Sequence, residues 1–282
     1  MKNYVNNNLI VIRGGGDLGT GVAFTLFNAG FNVVILEITN PIAVRRKVAF
    51  SEAIFEKMVT VEGITAIFTE KSKDIAKIIG NNNICVLIDE EARTLPKLKP
   101  FALIDAIVAK KNFGTNKSLA PITIALGPGF VAGIDVDAVI ETNRGENLGG
   151  VIYEGTTSAN TGLPAPVMGF RRERVLWAPV GGHINAVKDI GEIVIAGDVV
   201  AEINGFKIKS KIDGFVRGMV HSGIYLREGL KVADIDPRLD RMNLCYKISD
   251  KALLLGKSAL KAIKELKDVN IQKKKIEWTY AI

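Results

Sequence analysis

A glycine-rich turn between a short apolar run and a helical pattern constrains the fold of this chain more than any other feature. Residues 9–12 are continuously apolar, as in a strand buried on both faces of a parallel sheet. Apolar residues then recur at helical spacing over 18–29, after a turn with the pattern Gly-x-Gly-x-x-Gly. The turn consists of Gly14, Gly15, Gly16, Asp17, Leu18 and Gly19. In dinucleotide-binding folds such glycines allow the tight turn, the approach of a pyrophosphate and close helix–strand packing. The pattern predicts nucleotide or phosphate-ester binding, with a purely structural glycine turn as the alternative.

Charged residues near this turn extend the predicted binding site. Glu37 ends the second predicted strand, where an acidic side chain would accept a hydrogen bond from a ribose hydroxyl. Arg45 and Arg46 follow shortly afterwards, and their guanidinium groups match phosphate oxygens; a solvated basic turn is the alternative. Asp17 would add negative charge beside a phosphate, so the expected role of Asp17 is to cap the helix.

A second candidate segment follows the strand predicted over 122–126. Gly127 and Gly129 lie directly after this strand, where the loops of a parallel sheet open toward a ligand cleft. A rigid structural turn is the alternative. Arg144 follows a further short strand and completes the predicted ligand-binding residues. No metal is predicted, because no histidine or third carboxylate stands at ligand spacing from a carboxylate pair.

The order of predicted elements indicates an α/β fold. Strand, helix and strand alternate with short connections in the first part, which predicts a Rossmann-like parallel sheet. From residue 176 the segments are short, turn-rich and without helical period, which predicts an all-β module. The predicted divisions are a nucleotide-binding domain over 1–98, a middle α/β region over 99–175 that shares its cleft, the β module over 176–240 and a helical tail over 241–282.

Composition narrows the class of protein. The chain has 282 residues, and 37 basic against 30 acidic residues give a net charge of +7, which favours anionic partners. Aromatic residues make up 7%, without the interleaving of arginine and aromatic residues that stacked bases require, so no nucleic-acid partner is predicted. Residues 1–8 are polar, and no apolar run approaches the roughly 18 residues of a membrane span. The two cysteines, Cys85 and Cys245, are far apart. A cytoplasmic protein without a membrane partner is expected.

The chain resembles the YqeB family, accessory proteins of the selenium-dependent molybdenum hydroxylases that are similar in role to XdhC-type maturation factors. The matching strings lie at 12–21, 36–37, 45–46, 61–63, 124–130, 139–145 and 234–238. The resemblance implies a maturation factor that holds a nucleotide (NAD-like) or a molybdopterin-type ligand in a Rossmann-type cleft. It implies a molybdenum hydroxylase or another cofactor-maturation protein as partner, and it leaves a homo-oligomer open.

The segment over 191–232 resembles a lipoyl/biotinyl-type barrel-sandwich module. Carrier modules bear a lysine at the tip of the central hairpin, but the tip here is Asn204-Gly205 and Lys207 lies past it. A structural or docking module is therefore favoured over a carrier. The other open functions are an NAD(P)-dependent oxidoreductase and a non-catalytic scaffold, and whether the chain is an enzyme is left undecided. His183 and His221 are expected to be surface or structural residues.

Overall fold

A nine-stranded mixed sheet forms the centre of the computed structural model, which describes residues 8–280 apart from Thr161 and Leu163. The elements of this part are β1 (Leu9–Arg13), α1 (Asp17–Asn28), β2 (Asn32–Glu37), α2 (Ala53–Glu56), β3 (Met58–Val61), β4 (Ile64–Thr69), α3 (Ile75–Gly80), β5 (Ile84–Ile88), α4 (Leu95–Leu98), β6 (Ala102–Asp105), β7 (Thr123–Leu126), β8 (Ala138–Ile140) and β9 (Val151–Ile152). Short 3-10 helices cover Arg46–Val48, Phe50–Glu52, Ser72–Asp74 and Lys117–Leu119. The strand order is β3-β4-β5-β2-β1-β6-β7-β8-β9. The seven strands β4, β5, β2, β1, β6, β7 and β8 run parallel to one another, whereas the edge strands β3 and β9 are antiparallel to β4 and β8.

The apolar runs of the sequence become the central strands of this sheet. All five residues of β1 are buried, because the strand pairs with β2 and β6 and both faces of the sheet are covered. The predicted strands over 9–12, 33–36 and 85–88 are confirmed.

Helices cover the two faces of the sheet unequally. On one face α1 packs with α5 (Asp250–Tyr280) over a core that includes Ile10, Leu26 and Leu255. On the other face the short helices α3 and α4 cover a smaller core that includes Val11 and Val34. The last helix of the chain therefore packs beside the first one and covers the strands β7, β8 and β9 of the same sheet face.

The buried face of α5 differs from the predicted one. The helical pattern over 251–267 predicts one apolar face of Leu253, Leu254, Leu260, Ile263 and Leu266. Of these five side chains only Ile263 is buried, and Leu254 is 39% exposed. The other buried hydrophobic positions are the small residues Ala252, Ala259 and Ala262, together with Leu255. Small side chains let α5 approach α1 closely. The face of α5 that carries them is therefore the buried one, although the leucines are larger.

The C-terminal β part forms two four-stranded antiparallel sheets. Its strands are β10 (Val175–Trp177), β11 (Gly182–Ala186), β12 (Ile193–Val194), β13 (Val199–Ile203), β14 (Phe206–Lys209), β15 (Gly214–Met219), β16 (Tyr225–Leu226) and β17 (Lys231–Asp236). The sheet orders are β10-β17-β15-β12 and β14-β13-β11-β16. Asn204 and Gly205 join β13 to β14 with φ of 49° and 81°, as the predicted type I′ hairpin turn requires. A 3-10 segment over Leu239–Tyr246 leads from β17 to α5.

The predicted fold class is corrected by this architecture. A parallel Rossmann-like domain joined to a lipoyl/biotinyl-like barrel-sandwich was expected. The sheet is instead mixed, carries antiparallel strands at both edges and continues from residue 9 to residue 152. Strands on both sides of the predicted 98/99 boundary belong to that one sheet, because β6 pairs directly with β1. The four predicted divisions of the chain stay predictions.

No helix of the described part of the chain is long and apolar enough to cross a membrane. Residues 1–7, most of the polar segment used in the location prediction, lie outside the described residues.

Candidate ligand-binding cleft

The predicted glycine turn lies at the carboxyl end of β1, and its groups are engaged within the protein. The amide of Gly15 donates to Oε2 of Glu37 at 2.7 Å. Gly16 is the N-cap of α1, and a Cβ built on it would have no atom within 4 Å. A Cβ on Gly19 would lie 2.1 Å from the carbonyl oxygen of Gly14, so this glycine is required for packing. The tight turn and the close packing are present, and a carboxylate of the chain itself accepts a hydrogen bond from one amide of the turn.

The carboxylate of Glu37 points toward the glycine turn. Its second oxygen accepts from the amide of Ile38 at 2.9 Å. Burial raises the pKa of Glu37, the two amide hydrogen bonds lower it in part, and the resulting pKa lies above its ordinary value. The predicted contact to a ribose would require Glu37 to leave both amides, and it stays a prediction.

Asp17 and Arg45 meet beside the turn. The Arg45 guanidinium lies 3.8 Å from the Asp17 carboxylate and donates to the carbonyl oxygens of Leu244 and Lys247, each at 2.8 Å. Asp17 makes no capping hydrogen bond, so the predicted capping role is wrong; Asp17 occupies the first turn of α1 instead. Leu18 packs half-buried against the core of the sheet.

Arg46 also holds parts of the chain together. It donates to Asp189 in the C-terminal β part, and its NH1 lies 3.5 Å from Oε1 of Glu52. Neither arginine side chain is more than 14% exposed. In this structure Arg45 and Arg46 tie the sheet to the C-terminal region, and a phosphate would have to displace those contacts.

The crevice between β1 and β6, where the strand order changes direction, is covered by the chain itself. Arg13 donates to the carbonyl oxygen of Phe113 at 3.1 Å and to Oγ1 of Thr115 at 2.7 Å. The Thr115 hydroxyl donates in turn to Asp105 at 2.6 Å. These bonds draw the loop after β6 over the place where ligands bind in many open α/β sheets.

An open cleft lies farther along the same carboxyl edge, beyond β6, β7 and β8. Its volume is about 630 Å³. Its charged and amide-bearing lining residues are Lys110, Glu141, Asn143, Arg144, Asn160, Arg171 and Lys251. Four cations against one carboxylate make this cleft suitable for an anion.

The predicted loop and Arg144 belong to this cleft. Pro128, between Gly127 and Gly129, lines it. Gly127 has a φ of 76°, and a Cβ there would lie 2.7 Å from Oγ1 of Thr142. Gly129 has a φ of 111°, and a Cβ there would lie 2.6 Å from a backbone nitrogen of the loop after β6. The two glycines therefore shape the wall of the cleft by close backbone packing.

The charges of the cleft are oriented by neighbouring groups. Arg144 binds Asp250 with two hydrogen bonds of 3.0 and 3.1 Å, and this pair lowers the pKa of Asp250 to about 2. Burial raises the pKa of Glu141. Hydrogen bonds from donors that include the amides of Asn143 and Ser158 together lower it by more, so the resulting pKa lies below its ordinary value. Glu141 therefore remains a carboxylate that is satisfied by the backbone.

Lys251 is the cation of the cleft with the least satisfied environment. It is half-buried, and no carboxylate of the described residues lies within the 4.0 Å of an ion pair. Burial lowers the pKa of Lys251 and the charge of Arg144 lowers it further, while the more distant carboxylates of Asp17, Glu141 and Asp250 offset part of that fall. An anion placed between these two cations would relieve both effects.

Three of the four cations are not among the residues that the sequence predicts for a ligand site. Lys110, Arg171 and Lys251 belong to a loop after β6, a turn before β10 and the first turn of α5. The basic pairs at 110–111 and 171–172 are weak local signals, and nothing local joins them. The structure brings them to Arg144, while Gly14 to Gly19 and Glu37 lie at the ends of β1 and β2.

No protein-family model matches the chain. Comparison with solved structures returns the apo ectoine utilization protein EutE (DoeB) from Ruegeria pomeroyi, at a TM-score of 0.24 and 10% identity, covering 80% of this chain and 85% of that one. An aspartoacylase family protein from Mesorhizobium loti gives 0.25 and 10% over 80% and 84% of the two chains. A succinylglutamate desuccinylase/aspartoacylase from Rhodobacter sphaeroides gives 0.24 and 14% over 82% and 85%. TM-scores at this level transfer no activity to this chain.

The predicted function is not supported by any of these comparisons. A maturation factor for selenium-dependent molybdenum hydroxylases was expected, whereas the structures returned are of aspartoacylase and desuccinylase type. The oxidoreductase alternative stays a prediction; a nucleotide at the glycine turn would lie beside the hydrogen bond from Gly15 to Glu37.

A sequence relative supports the resemblance itself. Over 255 residues, 90% of this chain, the chain is 44% identical to the uncharacterized protein YqeB of Escherichia coli (strain K12). The chain spans about half of that relative, 47% of its length. For the half that it spans, the chain is a homologue of YqeB, which supports its place in the YqeB family.

Proposed function

We propose that this chain binds a small phosphorylated molecule in the cleft at the carboxyl ends of β6, β7 and β8. The observation that carries the proposal is Lys251, a half-buried cation beside Arg144 without an ion-pair partner among the described residues. Burying a charge without a partner is costly, and a ligand phosphate would offset that cost.

The charge of the cleft favours a ligand with more than one negative charge. Lys110 and Arg171 are exposed at the rim, and neither makes an ion pair within the described part of the chain. Arg144 is shared with Asp250, which leaves three cations free for a ligand. Phosphate esters and diphosphates carry the charge and the acceptor oxygens that such a set binds.

The backbone of the cleft supports a binding role. Val108 and Lys110, which line the cleft, have φ values of 55° and 66°. A β-branched residue at positive φ is strained, and strain of this kind gathers at ligand sites. The loop after β6 is therefore held in a costly conformation at the position where it contacts a ligand.

The two ligands predicted from the sequence, a NAD-like nucleotide and a molybdopterin-type molecule, both carry phosphate. They are candidates within this proposal, at a cleft other than the glycine turn. A hydroxylase or maturation partner stays a prediction. The cytoplasmic location is also proposed, and the two buried cysteines without a disulfide fit a reducing compartment.

Titration calorimetry at low ionic strength tests the proposal with pyrophosphate, ADP and adenosine as probes. We expect pyrophosphate and ADP to bind and adenosine to give no heat, because phosphate supplies the contacts. Lys251→Gln removes one charge-assisted hydrogen bond, and should weaken ADP binding by about 10-fold or more. Arg171→Gln at the rim should weaken it less, and should reduce its salt dependence.

The matched control is Lys209→Gln, on an exposed position of β14 away from the cleft. It removes the same charge from the protein and should leave ADP affinity unchanged. No binding of any phosphorylated probe, or equal loss of affinity in Lys209→Gln and Lys251→Gln, would overturn the proposal.

A further inference from the structure

We infer that Glu52, Glu56 and His221 bind one divalent transition-metal ion of the zinc type, between the sheet and the C-terminal β part. One ligand atom of each side chain lies within 4.8 Å of the others. Nε2 of His221 is 3.9 Å from Oε1 of Glu52 and 4.0 Å from Oε1 of Glu56. This inference is independent of the proposed phosphate cleft.

Local structure places the three side chains together. The 3-10 helix Phe50–Glu52 continues into α2, so Glu52 and Glu56 stand four residues apart and share a face. His221 comes from the turn between β15 and β16. Its ring stacks on Phe55 with a centroid distance of 4.0 Å and an interplanar angle of 15°, which holds the imidazole in place.

The tautomer of His221 suits a metal ligand. Nδ1 lies 2.7 Å from the carbonyl oxygen of Ser222, which can only accept, so Nδ1 carries the proton and donates it. In the neutral imidazole the lone pair of Nε2 then faces the two carboxylates. Histidine ligands of metals usually donate their other N–H in this way.

Glu52 provides a second, independent observation. Glu52 is only 5% exposed, and its Oε1, which faces His221, has no hydrogen-bond partner. Arg46 lies 3.5 Å from that oxygen but gives its hydrogen bond to Asp189. Burial raises the pKa of Glu52, and the positive charge of Arg46 offsets part of that effect. A buried carboxylate oxygen without a donor is costly, and a metal ion would satisfy it.

The distances from Nε2 of His221 to the two glutamates are too long for hydrogen bonds, and they need to shorten only modestly to bind one metal ion. At 3.9 and 4.0 Å, a protonated His221 would donate no hydrogen bond to either glutamate. Tetrahedral zinc with bonds of about 2.0–2.2 Å separates its ligand atoms by about 3.4 Å. The side chain of Glu56, 61% of which is accessible, can move to shorten its own distance to His221, and the pair of His221 and Glu52 at 3.9 Å has to shorten by about 0.5 Å.

A carboxylate lies beside the two cations that border the proposed metal site. Arg46 and Lys47 oppose a cation, and Asp189 pairs with both of them at the same junction. Asp189 therefore offsets part of the positive charge that Arg46 and Lys47 place beside the two glutamates. Nitrogen and carboxylate ligands together favour zinc over magnesium, which prefers an all-oxygen site.

The test uses the full-length protein, freed of metal by a chelator and carrying no histidine tag. Zinc is titrated against a chromophoric chelator, and Tm is recorded with and without zinc. We expect one equivalent of zinc to bind and to raise Tm, because the metal binds only the folded protein. Magnesium should not compete at equal concentration.

The chain offers a matched control, because it contains only two histidines. His221→Gln should weaken zinc binding by at least about 10-fold and abolish the rise in Tm, whereas His183→Gln should change neither. Glu56→Gln, at an exposed position, keeps the test valid if Glu52→Gln does not fold.

Two results would overturn the inference. One is stoichiometric zinc binding that His221→Gln leaves unchanged, or no such binding at all. The other is a metal-free Tm that rises in mildly acidic buffer in the wild type but not in His221→Gln, with no response to zinc. That outcome would assign the cluster to an imidazolium–carboxylate pair instead.

Discussion

Gly21→Ala should destabilise the protein measurably, because this glycine is where α1 and α5 touch. A Cβ at position 21 would lie 2.5 Å from the carbonyl carbon and oxygen of Ala252. Ordinary contact begins near 3.4 Å, so one helix backbone must move by about 1 Å. Overpacking of this kind costs about 1–3 kcal/mol, and the obstacle here is backbone, which places the cost near the upper end.

The intrinsic preference of alanine for helices acts in the opposite direction. In a helix interior alanine is more favourable than glycine by about 1 kcal/mol. Subtraction leaves a net loss of about 2 kcal/mol in the free energy of unfolding. For a protein of this size that corresponds to a fall in Tm of about 4–8 °C.

Urea denaturation and thermal scans followed by circular dichroism measure the effect. The matched control is Gly80→Ala at the end of α3, where a Cβ would meet nothing within 4 Å. Gly80→Ala should be neutral or slightly stabilising. If Gly21→Ala unfolds at the same urea concentration and temperature as Gly80→Ala, the close contact between α1 and α5 is refuted.

A double variant sharpens this test. A Cβ on Gly256 of α5 would lie 2.6 Å from the carbonyl oxygen of Gly21, and 2.2 Å from Oγ1 of Thr25. One displacement of α5 would relieve both clashes. Gly21→Ala and Gly256→Ala should therefore cost less together than the sum of the separate losses, and strict additivity would contradict the shared contact.

Two further predictions follow from titrating groups. The pKa of Asp250 falls from 3.8 to about 2 through its hydrogen bonds with Arg144, so this pair stabilises the fold above about pH 4 and the contribution is lost as pH falls toward 2. Urea unfolding of Asp250→Asn should therefore depend less on pH in this range than the wild type does, and parallel curves would contradict the pair. Cys85 and Cys245 are buried, and burial raises the pKa of Cys85 to about 12. Iodoacetamide should leave both thiols unmodified in the native protein near neutral pH and alkylate both in urea; rapid native labelling of Cys85 would contradict its burial.

The sequence determined the local elements of this protein because their signals are local. A continuous apolar run predicts β1, the glycine turn predicts the start of α1, and Asn204-Gly205 predicts the hairpin between β13 and β14. Each pattern depends on the conformations open to a few neighbouring residues. The sequence alone also shows that the tip of this hairpin bears no lysine.

Only the tertiary structure decided how these elements are used. Periodicity cannot show that Glu37 bonds to Gly15, and this bond turns a phosphate motif into an internal contact. The pattern of large apolar residues in α5 places Leu254 on the buried face, yet Leu254 is exposed. Ala252, Ala259 and Ala262 are buried, because small side chains allow α5 to lie close to α1. The extent and mixed character of the sheet depend in the same way on pairings between distant strands.

Both proposed sites depend on residues far apart in the chain. Lys251 reaches Arg144 because α5 packs beside α1 and over β7, β8 and β9. His221 reaches Glu52 because the C-terminal β part packs on the segment before α2. No local preference encodes such contacts, since they arise from burying the apolar faces of separate elements against one another. The sequence supplied the charged side chains, and long-range packing decided which of them meet.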